Sequence, residues 1–370
     1  MTFKVALLYI NIDSFSFSIP LYVLTIMGFV IASGVTYFAI PILVKGAVYK
    51  NLYAETNGRV SHNTPIPALG GVGVFAGFIL SVTVVAGTYF NFELAYLLTG
   101  LIVIFIVGLK DDLMGGKPWK KLLGQIIATL IICFLADIRI TNFRGFLGIW
   151  EIHYPLSLGF TVFTLVVIIN AINLIDGIDG LASGIGIMAS SVLGLWFYVT
   201  ENTACTVMCS ALAGSLLVFF IFNVFGKKNK IFLGDTGSLT SGLILGVLAV
   251  RFLQLEPSAK GLASINSSPA VAMSLFILPF FDTLRVMLIR IGQHKSPFHA
   301  DHQHIHHQLL ELGLSHFQST LILISINLFL ILLCYFLQDI GNILLIVTQF
   351  FIATLLSYVL LLQVKKKAIK

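Results

Sequence analysis

Long apolar stretches separated by short polar loops constrain this chain more than any other feature of its sequence. A helix needs about 20 mostly apolar residues to cross about 30 Å of hydrocarbon. Eleven stretches of this kind predict an all-α polytopic membrane protein, with residues 1–370 forming one integral-membrane domain. They cover residues 18–44, 68–90, 93–109, 122–136, 156–171, 181–199, 204–225, 236–255, 269–291, 317–338 and 340–364.

Composition supports a membrane protein and excludes other classes. Hydrophobic residues make up 58% of the chain and charged residues only 10%, whereas a soluble domain carries about 25% charged residues. The apolar content also excludes a disordered chain. The net charge of +6 does not indicate nucleic-acid binding, because basic residues in membrane proteins mostly set orientation.

The basic residues predict the orientation of the chain. With the N-terminus outside, 17 of the 22 Lys and Arg residues fall on the inner side, as the positive-inside rule requires. They lie in the inner loops, in the C-terminal tail or, for Arg285 and Arg290, at the inner end of a span. The C-terminus is then cytoplasmic, and Lys365, Lys366 and Lys367 would anchor at anionic headgroups. The outer segment 137–155 alternates apolar and polar residues, which predicts a short β-hairpin.

Each predicted inner loop carries a dense polar motif, and the outer loops carry nothing comparable. The first motif, between His62 and Gly73, mixes prolines and glycines and fits either a close-packed helix entry or a site. The second contains the adjacent carboxylates Asp111 and Asp112, which fit a metal-phosphate site, a general base or a helix ending in solvent. We therefore expect the chemistry at one face of the membrane.

The third loop is the most informative. Asn173, Asp176 and Asp179 recur every three residues, and two Asp-Gly pairs follow one another between apolar spans. Asp-Gly pairs form tight turns, but turns do not require an Asn at the hydrocarbon edge. If the helix continues, this spacing places all three polar residues on one side of it. The pattern favours a functional site over a simple turn.

The fourth loop contains Asn223 and several lysines, and it ends in Gly-Asp-Thr-Gly-Ser at residues 234–238. A carboxylate at Asp235, with hydroxyl groups and free backbone N–H groups at a helix N-terminus, suits magnesium and phosphate. The same residues also suit an ordinary helix cap. The two roles are compatible, because a capping residue can also bind a metal ion.

The fifth loop holds seven of the nine histidines, with the core at His302–His307. Zinc is one candidate ligand, but the sequence has no cysteine nearby and the acidic motifs favour a hard ion. Imidazoles can instead bind phosphates or transfer protons.

Asp282 lies three residues before Arg285, a spacing that predicts an intrahelical ion pair.

Together these motifs resemble the polyprenyl-phosphate N-acetylhexosamine-1-phosphate transferase family, also called glycosyltransferase family 4, from about His62 to Gln318. The resemblance implies that a lipid-carrier phosphate attacks a UDP-amino sugar in the bacterial inner membrane, releasing UMP on the cytoplasmic side. It implies Mg²⁺, with Mn²⁺ as a substitute, and a homodimer only weakly. By motif it implies catalytic roles for Asp111 and Asp112, magnesium binding by Asp235, and substrate binding by Lys121, Asn173, Asp176, Asp179, Asn223, His304, His306 and His307.

Ile305 indicates which branch of this family the chain resembles. It interrupts the run of three histidines found in the pentapeptide translocases, so the chain resembles the UDP-GlcNAc branch more closely. Enzymes of this branch begin the synthesis of cell-envelope polysaccharides such as O-antigen. Another UDP-HexNAc or UDP-MurNAc-pentapeptide remains an alternative substrate.

Two other classes of protein stay open at this point. A secondary transporter would place ionisable residues near the bilayer midplane, often in inverted repeats, and a metal-binding scaffold would need only the histidine loop. For an enzyme, we favour direct displacement by the lipid phosphate over a covalent aspartyl intermediate. A phosphate monoester has a second pKa of about 6 and is already mostly ionised near neutral pH, so it needs no strong base to act as the nucleophile.

Overall fold

The computed structural model describes residues 19–50, 52, 66–85, 92–255, 261–294 and 304–369. Most of these residues form α-helices. A π-helical turn at Ile131–Leu135 extends α4, and residues 136–153 form a longer, mostly irregular connection to α5. In chain order the helices are α1 Leu21–Lys50, α2 Gly70–Val85, α3 Phe92–Met114, α4 Pro118–Leu130, α5 Tyr154–Ile175, α6 Leu181–Val199, α7 Thr203–Phe225, α8 Gly234–Leu255, α9 Ser268–Ser274, α10 Ile277–Gly292, α11 Ile305–Glu311, α12 His316–Phe336 and α13 Asn342–Ile369.

The prediction of an all-α polytopic membrane protein is confirmed. Among the described residues, nine helices are long and apolar enough to cross a membrane. Helices α9 and α10 together pass the same test but are bent by 74° at the break between them, as in a broken span or a re-entrant loop. Helix α2 has 16 residues and matches the predicted stretch 68–90, part of which lies outside the described residues. The side of the membrane that each end faces stays a prediction, and so does the single-domain assignment.

The predicted hairpin at 137–155 is reduced to one antiparallel β-bridge between Asn142 and Glu151. Phe143 N donates to Trp150 O at 2.7 Å, but no ladder follows in this segment. Arg144 and Leu147 have φ angles of 53° and 54°, in the left-handed region that turns the chain instead of extending it. This segment contacts the end of α8, since Gln254 Nε2 donates to Asp137 O at 3.0 Å.

Helix α8 lies at the centre of the bundle. In its most apolar stretch 78% of the residues are buried, compared with 22% in α13. Glycines allow its neighbours to approach closely: a Cβ on Gly71 of α2 would overlap the backbone of Gly237, and one on Gly108 of α3 would lie 2.6 Å from Thr236 Cα. The first turn of α8 is therefore held tightly between α2 and α3.

Asp179 connects the loop between α5 and α6 to two other elements. Its carboxylate lies 2.7 Å from Lys230 Nζ and 3.4 Å from His316 Nδ1, and its carbonyl oxygen accepts from Thr320 Oγ1 at 2.9 Å. Burial alone would raise the pKa of Asp179, but hydrogen bonds from His316 and Lys230 and their charges outweigh it, so the pKa lies below its usual value.

Replacing Gly108 with Ala should destabilise the protein by about 1–3 kcal/mol, because the new methyl group overlaps the backbone of α8. Thermal unfolding in detergent would measure this as a lower midpoint. Gly34→Ala is the matched control, since nothing lies within 4 Å of its added Cβ, and it should leave the midpoint unchanged or slightly higher. Equal midpoints for both variants would contradict the close approach of α3 to α8.

The lowered pKa of Asp179 predicts a stability difference that depends on pH. Because folding favours the ionised carboxylate, its contribution is complete above the unfolded pKa of about 3.9 and is lost as the pH falls through the lower folded value. Asp179→Asn should therefore be less stable than the wild type by about 1.5–3 kcal/mol at neutral pH. The difference should shrink below about pH 4.

Acid unfolding of both proteins would measure this difference. Asp137→Asn is the control, because the Asp137 side chain is 66% exposed and surface ion pairs contribute little. If the difference in the free energy of unfolding between wild type and Asp179→Asn stays constant down to acid pH, the Asp179 charge does not stabilise the fold.

Candidate functional site

The first turn of α8 is capped by a side chain from another helix. The N–H groups of Asp235 and Thr236 donate to the Asp112 carboxylate at 2.7 Å and 2.8 Å, and Thr236 Oγ1 donates to it at 2.5 Å. These N–H groups have no acceptor within α8 itself, and a negative charge is favourable at a helix N-terminus. Asp112 thus fixes the end of α3 to the start of α8, while its expected catalytic role stays a prediction.

The capped turn presents Asp235 to side chains of two further helices. Lys121 of α4 pairs with Asp235 and lies 3.7 Å from Asp111 Oδ2. Asn173 of α5 donates to Asp235 Oδ1 at 2.6 Å and to Ser238 Oγ at 2.8 Å, and its own Oδ1 accepts from Lys121 at 3.3 Å. Residues distant in sequence therefore meet around one ammonium group.

An amide pair lies one turn further along the same two helices. Gln125 Nε2 donates to Asn170 Oδ1 at 3.2 Å, and Asn170 Nδ2 donates back to Gln125 Oε1 at 2.7 Å. The pair holds α4 against α5 next to the contact between Lys121 and Asn173. Gln125 is not among the predicted site residues, although an amide in an apolar stretch is a sequence signal for such a contact.

The Asp-Gly loop, residues 176–180, does not continue α5 as a helix, so the three polar residues do not share one helical face. Helix α5 ends at Ile175, and Gly180 adopts a φ of 83°, which glycine reaches without strain. Asn173 consequently points towards Asp235, whereas Asp179 contacts Lys230 and His316.

Asp176 lies between these two groups. Burial, followed by repulsion from Asp235, Asp112 and Asp179, raises its pKa well above the usual value. No cation among the described residues forms an ion pair with it. The raised pKa favours the protonated form of Asp176, as expected for a buried carboxyl group close to other carboxylates.

Asn223 lies behind the loop and joins two backbone segments. Its Oδ1 accepts from Gly180 N at 2.7 Å, and its Nδ2 donates to Ile231 O at 2.9 Å. The side chain is buried, and both of its polar atoms are used in these bonds. The structure gives Asn223 a role in shaping the loop, and its predicted contact with substrate stays untested.

The histidine motif begins at an aspartate of α10. His304 Nδ1 lies 2.9 Å from Asp282 Oδ2, and Ile305 N donates to Asp282 Oδ1 at 3.1 Å. A carboxylate only accepts, so His304 Nδ1 carries the proton. Asp282 also pairs with Arg285 at 2.9 Å, which confirms the predicted intrahelical pair. Asp282 thereby orients His304 and the start of α11.

His306 lies directly against the Asp-Gly loop. A Cβ added to Gly177 would come 2.5 Å from His306 Nε2, so a larger residue there would displace the His306 ring. Its ring stacks on His304 at 5.5 Å and lies 4.3 Å from the ring of His307. Burial, with repulsion from His307 as the next cause, lowers the pKa of His306 to about 3. His306 is therefore neutral near pH 7.

The described residues contain no ready-made metal cage of three or more His, Cys, Asp or Glu side chains. Asp111, Asp235 and Asn173 instead direct oxygen atoms at the Lys121 ammonium. Magnesium usually binds one or two carboxylates together with substrate phosphates, so this donor set fits it. A zinc site is not formed by His304, His306, His307 and His316 alone.

The described part of the chain places every predicted site residue at one end of the bundle. Asp111, Asp112, Lys121, Asn173 and Asp235 form one connected group. The Asp-Gly loop, Asn223 and the histidines lie beside that group. The first motif is described only from residue 66, and there Phe232 N donates to Pro67 O at 2.8 Å, which joins it to the segment before Asp235.

Comparison with known proteins gives a consistent result. The family model for glycosyl transferase family 4 matches residues 94–253. This range runs from α3 to α8 and includes eight of the predicted site residues, but it ends before the histidine motif. These eight are Asp111, Asp112, Lys121, Asn173, Asp176, Asp179, Asn223 and Asp235.

Three relatives extend the similarity beyond that range, and each is named undecaprenyl-phosphate alpha-N-acetylglucosaminyl 1-phosphate transferase. The Salmonella typhi protein is 29% identical over 73% of this chain and 72% of its own length. The Haemophilus influenzae protein is 29% identical over 75% and 76%, and the Escherichia coli K12 protein is 26% identical over 71% and 70%. With the predicted motifs gathered at one site, these matches show that the chain is similar to glycosyl transferase family 4 over most of its length.

Proposed function

We propose that this protein transfers GlcNAc-1-phosphate from UDP-GlcNAc to undecaprenyl phosphate, releasing UMP and leaving undecaprenyl-diphosphate-GlcNAc in the membrane. The observation that carries the proposal is the group formed by Lys121, Asp111, Asp235 and Asn173 at the N-terminus of α8. Such a group suits a diphosphate, and the names of the relatives supply the substrate class.

Charge compensation is the main chemical demand on this site. Phosphoryl transfer depends on positioning and electrostatic stabilisation more than on covalent chemistry. Lys121 offers one fixed positive charge, and Asp235 with Asp111 would hold Mg²⁺ or Mn²⁺. When bound, the metal ion neutralises phosphate charge and lowers the repulsion between an anionic donor and an anionic acceptor.

Of the acidic pair, Asp111 faces Lys121 in the charged group and is the carboxylate that would meet the lipid phosphate. The oxygens of Asp112 already accept three hydrogen bonds from the start of α8. A lipid phosphate is mostly ionised near neutral pH and needs no strong base, so Asp111 orients it for direct displacement without a covalent aspartyl intermediate.

The Asp-Gly loop and the histidines would complete the binding of the UDP-sugar. Neutral His306 can donate or accept a hydrogen bond, and with His304 and His307 it would contact the diphosphate or the sugar. Asn173, Asp176 and Asp179 would form the nucleotide side, with Lys230 and His316 holding the loop. The reaction would face the cytoplasm at the bacterial inner membrane, as the first membrane step of a cell-envelope polysaccharide.

Purified protein in detergent should convert UDP-GlcNAc and undecaprenyl phosphate to UMP and a lipid-linked sugar in the presence of Mg²⁺. Asp235→Asn should lower turnover by about 100-fold or more, because the metal site loses its charge and with it several kcal/mol of stabilisation. Labelled UDP-GlcNAc and thin-layer chromatography of the lipid product would measure this.

Asp339→Asn is the matched control, since Asp339 lies near the far end of the bundle with Asn266; it should keep full turnover. Unchanged turnover in Asp235→Asn would remove that residue from the reaction. Product formed only from another UDP-HexNAc or from UDP-MurNAc-pentapeptide would change the donor. Flux into vesicles without any UMP release would favour a transporter.

Chelation by EDTA should stop turnover completely, and Mg²⁺ should restore it, with Mn²⁺ as a weaker or equal substitute. The physical reason is that Lys121 alone does not offset the carboxylates and phosphates brought together at the site. A UMP release assay across a metal titration would measure the restoration. Full turnover in excess chelator would refute the requirement for a divalent ion.

A further inference from the structure

Two polar side chains on α12 contact two separate segments, one in the proposed site and one away from it. Thr320 Oγ1 donates to the carbonyl oxygen of Asp179 at 2.9 Å, and Asn327 contacts the break between α9 and α10. The two residues are seven positions apart, so they share one face of the helix. Helix α12 therefore extends from the Asp-Gly loop to the break between α9 and α10.

Asn327 satisfies the backbone at that break. Its Nδ2 lies 3.2 Å from the carbonyl oxygens of Ser274 and Leu275, and its Oδ1 accepts from Leu278 N at 3.2 Å. A helix break leaves such groups without partners, and in an apolar interior each unsatisfied group costs free energy. The Asn327 side chain is fully buried, with 0% exposure, so water does not replace these bonds.

The direction in which α10 leaves the break determines where the histidine motif lies. Asp282 is one turn after Leu278 on α10, and it holds both His304 and the N–H of Ile305. His306 follows on α11 and packs against Gly177 of the Asp-Gly loop. A change in the 74° bend would therefore move His306 relative to that loop.

We propose that Asn327 is a positioning residue of the transferase site, which holds the bend between α9 and α10 and thereby keeps His306 against the Asp-Gly loop. This inference rests on the proposed function for its catalytic consequence, but the placement of His306 is testable without turnover. Asn327 supplies both a donor and an acceptor to the break. Leucine has the same number of side-chain heavy atoms with the same branching but supplies neither.

The effect on catalysis should be large although Asn327 lies away from the reacting atoms, because a misplacement of about 1 Å can cost about 100-fold in rate. Asn327→Leu should lower turnover by about 10- to 100-fold. Gln349→Leu is the matched control: it also removes a buried amide, whose Nε2 lies 3.2 Å from Ala270 O of α9, but it leaves the break intact. It should keep turnover within about twofold of the wild type.

A double-mutant cycle with His306→Ala separates positioning from general destabilisation. If Asn327 acts through His306, Asn327→Leu should cost less than about twofold in the His306→Ala background, because coupled residues give non-additive losses. Should Asn327→Leu fail to fold, Asn327→Ser keeps one donor and acceptor and takes its place in the same cycle. Fully additive losses, or no effect of His306→Ala by itself, would overturn the proposal.

Labelling with diethylpyrocarbonate tests the placement of His306 directly. His306 is 2% exposed and should react slowly in the wild type and in Gln349→Leu, but severalfold faster in Asn327→Leu. The His316 side chain, at 45% exposure, is the internal reference in peptide mass spectrometry. Equal labelling of His306 in all three proteins would overturn the proposal. Faster labelling of His306 in Asn327→Leu, together with no turnover by the wild type, would support the role of Asn327 in placing His306 and would contradict the proposed function.

Discussion

The hydrogen bonds from the first turn of α8 to Asp112 are the interaction on which the rest of the site depends. They satisfy N–H groups that would otherwise lack acceptors in an apolar setting, and they lock α3 to α8 at the point where Gly108 lets the two backbones meet. Asp235 follows directly in that turn, so its carboxylate is held where Lys121 and Asn173 reach it. One capping contact thus organises a charged centre within a hydrophobic bundle.

Around this centre the site has two layers with different physical roles. The inner layer consists of Asp111, Asp112, Lys121, Asn173 and Asp235. It has three carboxylates and one ammonium group, so it would bind a cation together with phosphate groups. The outer layer consists of loops that polar side chains hold in place: Asp179 with Lys230 and His316, and Asp282 with His304. The first layer would supply chemistry, and the second would set the shape into which substrates fit.

Buried amides connect these layers to the apolar helices. Gln125 with Asn170 joins α4 to α5, and Asn327 holds the bend between α9 and α10. Each amide both donates and accepts, so it can bridge backbone or side-chain groups that an apolar interior leaves without water. Their cost in hydrocarbon is offset only when every polar atom finds a partner, which makes them sensitive reporters of helix position.

Hydrophobic periodicity and polar motifs determined the membrane class, the approximate spans and the residues that gather at one end, because apolar length and charge are local properties of the chain. The sequence also predicted the pairing of Asp282 with Arg285, since i,i+3 contacts depend only on helix geometry. Only the tertiary structure decided that Asn173 points towards Asp235, that Asp112 caps another helix, and that Asp179 faces Lys230 instead of Asp235. These features depend on close approaches between segments more than 50 residues apart, which no local pattern encodes.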